Sequence, residues 1–287
     1  MKDPLKTAQA GISILTEIMK TAGENPQVRE AGVNLGQAAL TITKTINNAL
    51  LPLAAINFAF DKARKYFSEK FKDDLLQKTQ PIPLDQIVEP KASVAGPALQ
   101  GLAFSYEEPN LKEMYLSLLA TAMDRRVASS AHPAFVEIIR QLEGQEAGLL
   151  RAILCTSFSL PIVQVRLTNT GQPGWRDLGT HLMDMVDESS MEPVEEPNQP
   201  AMVDNWIRLG LVEVSYDKHL TDKQVYEWVE KRPEYKKLKV EHASDTTKVT
   251  YQRGIIRRSA FGLKFAAAAG LLTDNKSALV PSRPTGS

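Results

Sequence analysis

Two short stretches, Leu211-Val-Glu-Val-Ser215 and Val249-Thr-Tyr-Gln-Arg-Gly-Ile-Ile256, decide how the C-terminal half of the chain is read. Each mixes apolar and polar side chains closely enough to the period of two that marks a strand with one buried face. A helical pattern over Ala201 to Leu209 precedes them and stops at Gly210. After them Ser259 can cap a helix in which Phe261, Phe265 and Ala268 face inward and Gly270 ends the run. Helix, strand, long insert, strand, helix is the order of a winged-helix-like module with an oversized wing. Upstream of it, Gln145 to Thr156 carries a helical Leu149, Leu150, Ile153 pattern, Leu160 to Leu167 reads as a strand or extended link, and Asn169 to Trp175 as a turn.

Working toward the N-terminus, helical signals dominate. Pro109 suits the first turn of a helix, because its missing N–H has no partner there, and Leu111, Tyr115, Leu118, Leu119 and Ala122 follow as a stripe. Ser130-Ala-His132-Pro133 makes a turn into a short helix marked by Phe135, Ile138, Ile139 and Leu142, with Gly144 as its stop. The two prolines of Thr79-Gln-Pro-Ile-Pro83 set a boundary before this block. In front of the boundary, Leu35, Ala39, Ile42, Ile46, Ala49, Leu53, Ile56 and Phe60 keep a four-three spacing, the seam of coiled-coil-like packing. Pro52 breaks or kinks that helix. A second stripe over Leu5 to Ala22 suggests an antiparallel partner.

The expectation is therefore a mostly α protein. A helical hairpin and long-helix region spans 1–80, a central helical domain 81–144, the winged-helix-like α+β module 145–272, and a loose tail 273–287.

The chain has 287 residues, 43% of them apolar and 24% charged, an ordinary globular composition able to bury a core. Thirty-four Lys and Arg balance thirty-four Asp and Glu, so no global field draws it to nucleic acid or anionic lipid. The charge is nevertheless segregated. Asp177 to Asp204 carries eight acids and no Lys or Arg, whereas Lys231 to Lys264 holds ten bases against three acids. Met1-Lys-Asp-Pro4 predicts no secretory signal, and Thr45 to Phe60 is too short and too rich in asparagine for an ordinary spanning helix. A cytoplasmic protein is expected, with Cys155 reduced and buried in the apolar run Leu149 to Phe158. One cysteine and four histidines leave no disulfide and no zinc signature.

A search for chemistry returns little. Gly96 to Gly101 has the glycine spacing of a phosphate loop, but Leu102 stands where the lysine belongs. No zinc-hydrolase, serine-hydrolase or dithiol motif occurs. His132 reads as a turn-fixing hydrogen-bonding group rather than a general base, and His181, Asp184 and Asp187 as exposed helix surface rather than metal ligands. No catalytic residue, metal or cofactor is expected, and no enzymatic activity. Arg253, Arg257 and Arg258 could contact phosphates or a protein. Protein contact is preferred, because the helix at 201–209 offers Arg208 as its only base for a groove.

Four ordered segments then carry a resemblance: Ile-Val-Glu89-Pro90, Val-Ala-Gly96-Pro97-Ala-Leu, Leu-Ala-Thr-Ala-Met-Asp124 and Ala-His132-Pro133-Ala-Phe135-Val-Glu-Ile-Ile. Together with Asn48-Ala-Leu-Leu-Pro52-Leu and Asn57-Phe58, this combination resembles the bacterial abortive infection alpha family over about half the chain. The resemblance implies a part in defence against phage, with no catalytic residues to carry over. The partners expected are a second copy, another defence protein or a phage protein. Membrane contact after triggering is a further expectation, through the seam of Leu35, Ile42, Ile46, Leu53, Ile56 and Phe60, which would place the chain at the inner membrane. A nucleic-acid-binding regulator using the basic wing is the alternative.

Overall fold

The computed structural model describes residues 57–272, apart from 188, 191 and 243. The seam from Leu35 through Ile56 lies outside the described residues, and at Phe60 only the helical backbone is described. The described chain divides into two compact units. The first comprises residues up to 149 together with 264 onward, and the second comprises 150–263.

The first unit is helical. It contains α1 (Asn57–Glu69), α2 (Phe71–Thr79), α3 (Ala92–Ser105), α4 (Pro109–Met123) and α5 (Pro133–Arg140), followed by α6 (Gly144–Cys155), within which the chain passes to the second unit. Gly144 thus opens a helix rather than closing one. Helix α4 starts where expected, with Pro109 in its first turn after an extended Glu108. It is buried on nearly every side, Leu111, Met114, Tyr115, Leu116, Leu118 and Leu119 being 3% exposed or less, as a helix at the centre of a core must be. Helices α2, α3 and α5 pack on it. Close approach of α3 depends on Gly101, where a Cβ would stand 2.4 Å from Tyr115 Cζ. The core is closed by the C-terminal residues. Phe265 stacks edge-to-face on Phe135 at 5.6 Å, and Thr121 Oγ1 donates to the Ala268 carbonyl at 2.9 Å.

The second unit overturns the winged-helix expectation and, with it, the mostly α class. It holds a four-stranded antiparallel sheet, β1 (Leu160–Asn169), β2 (Trp175–Leu182), β3 (Val212–Ser215) and β4 (Thr247–Arg258), in the order β2-β1-β4-β3. The sheet curls into a half-barrel, and about half of the described residues are helical. Its backbone is the long pairing of β1 with β4, from Leu160 opposite Ile256 to Asn169 opposite Thr247. Strand β3 pairs only with the last four residues of β4. The register of β2 against β1 slips twice, between Val163 and Val165 and between Val165 and Arg166. Such irregularities bend a strand and increase its twist, which suits a curled sheet.

The supposed wing is a cover. A 3-10 helix (Gln224–Lys231) and α8 (Pro233–Glu241) bring Tyr226, Val229 and Tyr235 onto Val163, Val165, Leu182 and Val249, all 7% exposed or less. Helix α7 (Gln199–Arg208) packs against β2 and β3. Ser259 caps α9 (Ala260–Ala268), accepting the Gly262 N–H at 2.8 Å, and within α9 the chain returns to the first unit.

Candidate functional site

The family-like segments meet in the first unit through their backbones. Val88 N–H donates to the Met123 carbonyl at 2.9 Å and Arg125 N–H to the Gln86 carbonyl at 2.8 Å, so Ile87 and Asp124 form an isolated antiparallel bridge. Pro90 is buried behind it and Glu89 is exposed. At this junction the Asp124 side chain is only 8% exposed. Its Oδ1 accepts the Arg126 backbone N–H at 3.0 Å and Nε at 2.8 Å, and its Oδ2 accepts the other arm of that guanidinium at 2.6 Å. The hydrogen bond from Arg126 holds the carboxyl below its ordinary range despite the opposing effect of burial. Asp124 therefore folds the chain back on itself as it leaves α4.

His132 is the N-cap of α5. Its Nδ1 accepts the Ala134 N–H at 3.1 Å, and Pro133 fills the first turn. An imidazole that accepts at Nδ1 is neutral and spends that lone pair on the helix end. Phe135, 2% exposed, carries the cap into the core through Phe265. Gly96 and Pro97 lie half-buried inside α3. These motif residues are thus assembled around turns, caps and the core.

The second unit places the three arginines of the expected basic wing on β4. Arg257 gives Nε and a terminal nitrogen to Glu213 Oε2 across the β3–β4 pair, at 2.9 and 2.6 Å. Arg258 donates to the Leu154 carbonyl at 2.9 Å, and Arg253 lies 5.8 Å from the centre of the Tyr226 ring. Each has an employer inside the unit.

A polar cluster invisible to motif reading lies nearby. His181 is the penultimate residue of β2, rather than lying on a helix, and has the left-handed φ of 60°, an uncommon conformation for a residue with a Cβ. Both ring nitrogens are engaged, Nε2 with Asp204 Oδ1 at 3.1 Å and Nδ1 with the Tyr216 hydroxyl at 2.9 Å, while the His181 N–H donates to the same hydroxyl at 3.0 Å. Burial pushes the Tyr216 phenol up to about 12, so it stays protonated and serves as a hydrogen-bond hub rather than a nucleophile.

Arg166 on β1 is held by Gln164 and Gln252, with its guanidinium 4.1 Å from the centre of the Trp175 ring, which is itself 58% exposed. Arg232 is fully buried, donating to the Met185 carbonyl at 2.6 Å and pairing with Glu234. His181 could not be paired with Tyr216 or Asp204 from sequence, since the partners lie 35 and 23 residues away with no repeating signal.

Among the described residues no group of three or more His, Cys, Asp or Glu is placed to hold a metal ion. Cys155 corrects an expectation: it is exposed at the C-terminal end of α6 rather than buried. No helix among the described residues is long and apolar enough to cross a membrane.

Comparison with known proteins adds the family. The model of the abortive infection alpha family matches residues 63–269, and the chain belongs to that family. The match extends through the second unit to α9, well beyond the segments that carried the resemblance. No curated protein and no solved structure matches the chain.

Proposed function

We propose that this member of the abortive infection alpha family acts in bacterial defence against phage as a non-enzymatic sensor or effector, through contact with another macromolecule rather than turnover of a small one. One observation carries this reading: the ionisable side chains of the family-like motifs, Asp124 and His132, and of the His181 cluster are spent on the protein itself. Asp124 is held by Arg126, His132 caps α5, and His181 has both nitrogens engaged. A catalytic base or nucleophile needs a free lone pair within reach of a substrate.

Membrane action through Leu35, Ile42, Ile46, Leu53, Ile56 and Phe60 draws on residues whose side chains lie outside the described ones. The nucleic-acid alternative draws on Arg253, Arg257 and Arg258, which are engaged in the second unit. Neither gains a supporting observation.

The experiment is phage challenge of bacteria expressing the chain, with plating efficiency and membrane potential followed together. Wild type is expected to protect, and His132→Asn, which retains an N-cap, to protect equally. Loss of protection in a fully folded His132→Asn, accompanied by a small-molecule turnover present only in wild type, would replace this reading with an enzymatic one. Early depolarisation would transfer the effector role to the membrane.

A further inference from the structure

In the second unit the acidic run 177–204 and the basic run 231–264 come near one another at Asp184, which feels the positive charges of Arg232 and Lys231. Among the described residues neither Glu192 nor Glu195 forms an ion pair with a cation of 231–264. The basic side chain that does reach the acidic segment, Arg232, bonds the Met185 carbonyl and gives its charge to Glu234. Asp184, Glu192 and Glu195 are exposed, and so is Val194 between the two glutamates, at 40%.

Helix α8 presents the complementary arrangement. Tyr235 anchors one side of the helix in the sheet's core at 2% exposure, and Lys239 is tied to Glu230 at 3.0 Å. Lys236 and Lys237 are exposed, as is Val240, at 79% the most exposed of the large apolar side chains. The helix is thereby fixed from below, while Lys236 and Lys237 on its outer side form no ion pair with the described residues.

We infer that the outer face of α8, carrying Lys236, Lys237 and Val240, docks on the segment carrying Glu192, Val194 and Glu195 in a second copy of this chain. Each patch has one exposed valine beside charges mostly of one sign, two lysines against Glu241 on α8 and glutamates on the other segment, and the prevailing signs are opposite. An apolar centre with a charged rim is the usual composition of a specific protein contact, and opposed fields steer two such patches together. A polyanion such as nucleic acid would satisfy the lysines but be repelled by the acidic segment, and would leave both valines in water. A second copy answers all four features at once. Where the pairing is two-fold, the contact forms twice and closes as a dimer.

The test is solution mass of the full chain by analytical ultracentrifugation at about 50 mM and about 500 mM salt, over which the range of exposed charges falls severalfold. Wild type is expected to assemble at low salt and to dissociate at high salt. Lys236→Glu with Lys237→Glu should give a monomer, as should Glu192→Lys with Glu195→Lys. All four positions are exposed, so melting temperature should be unchanged, which checks that the variants are folded. An equimolar mixture of the two charge-reversed proteins should regain the assembled mass, because the swapped patches attract again.

A wild-type mass independent of salt, or a mixture that stays monomeric, would overturn the inference. So would duplex DNA or anionic vesicles that bind the lysine face while the mass stays that of a monomer. The readout is mass and not protection, so failure here leaves the defence reading standing, and failure of protection leaves this contact standing.

Discussion

Replacing Gly101 with alanine sets two well-understood effects against one another. In an exposed helix interior the change stabilises by about 1 kcal/mol, because glycine carries more backbone freedom into the unfolded state. Here the new methyl would stand 2.3 Å from Tyr115 Oη, 2.4 Å from Cζ and 2.7 Å from Cε1, far inside van der Waals contact. Tyr115 is fully buried in the middle of α4, so the ring must shift within a packed core. Overpacking of this kind costs about 1 to 3 kcal/mol and more when the obstacle is rigid, which outweighs the propensity gain.

The expected outcome is a net loss of roughly 1 to 2 kcal/mol, read as a fall of about 2 to 8 °C in melting temperature for a protein of this size. Tyr115→Leu supplies the control. It removes the ring, so Gly101→Ala in that background should be neutral or stabilising, with a coupling of about 1 to 3 kcal/mol in the double-mutant cycle. A rise in melting temperature for Gly101→Ala alone, or an equal cost in both backgrounds, would refute the packing argument.

His132→Ala should destabilise by about 1 kcal/mol, since it exposes the Ala134 N–H at the start of α5, whereas His132→Asn should cost at most a few tenths; chemical denaturation distinguishes them. Asp124 has a lowered pKa in the folded state, so its contribution is present above the unfolded carboxyl value of about 3.9 and disappears as pH falls through the folded value. Acid unfolding of Asp124→Asn should accordingly show a flatter dependence below about pH 4 than wild type, at lower overall stability. Tyr216→Phe leaves the His181 N–H and Nδ1 without their shared partner and should cost about 1 to 3 kcal/mol, with slowed exchange of the His181 amide lost in deuterium-exchange measurements.

The helical unit was legible because its signals are local. Proline at a first turn and three-four apolar spacing act within a dozen residues, and Pro109, Pro133 and the α4 stripe stand where they were read. The sheet was harder for two physical reasons. Strand β2 reads Trp-Arg-Asp-Leu-Gly-Thr-His-Leu, and its double register slip destroys the alternation that would betray it. The pairing of β1 with β4 joins residues some eighty positions apart, and nothing in either strand alone selects the other. Partners 35 and 23 residues away concealed the contacts of His181, and no local pattern separated the structural duty of Arg257 from a phosphate-binding one. Cys155 was misplaced because an apolar run does not reveal which side of its helix meets solvent.

The first unit is written in two pieces, with residues 150–263 between them, and this imposes an order in time. At synthesis rates of roughly 5 to 20 residues per second, Phe265 leaves the ribosome about 6 to 23 s after Leu149. Throughout that interval Phe135 lacks the ring that covers it, and Thr121 lacks its acceptor on Ala268. The intervening sheet joins its own ends, β1 with β4, and β4 directly precedes the last helix in the chain. Nascent chains should therefore offer an open helical core to chaperones until α9 emerges, and that emergence rather than collapse of the preceding helices becomes the step that closes the first unit.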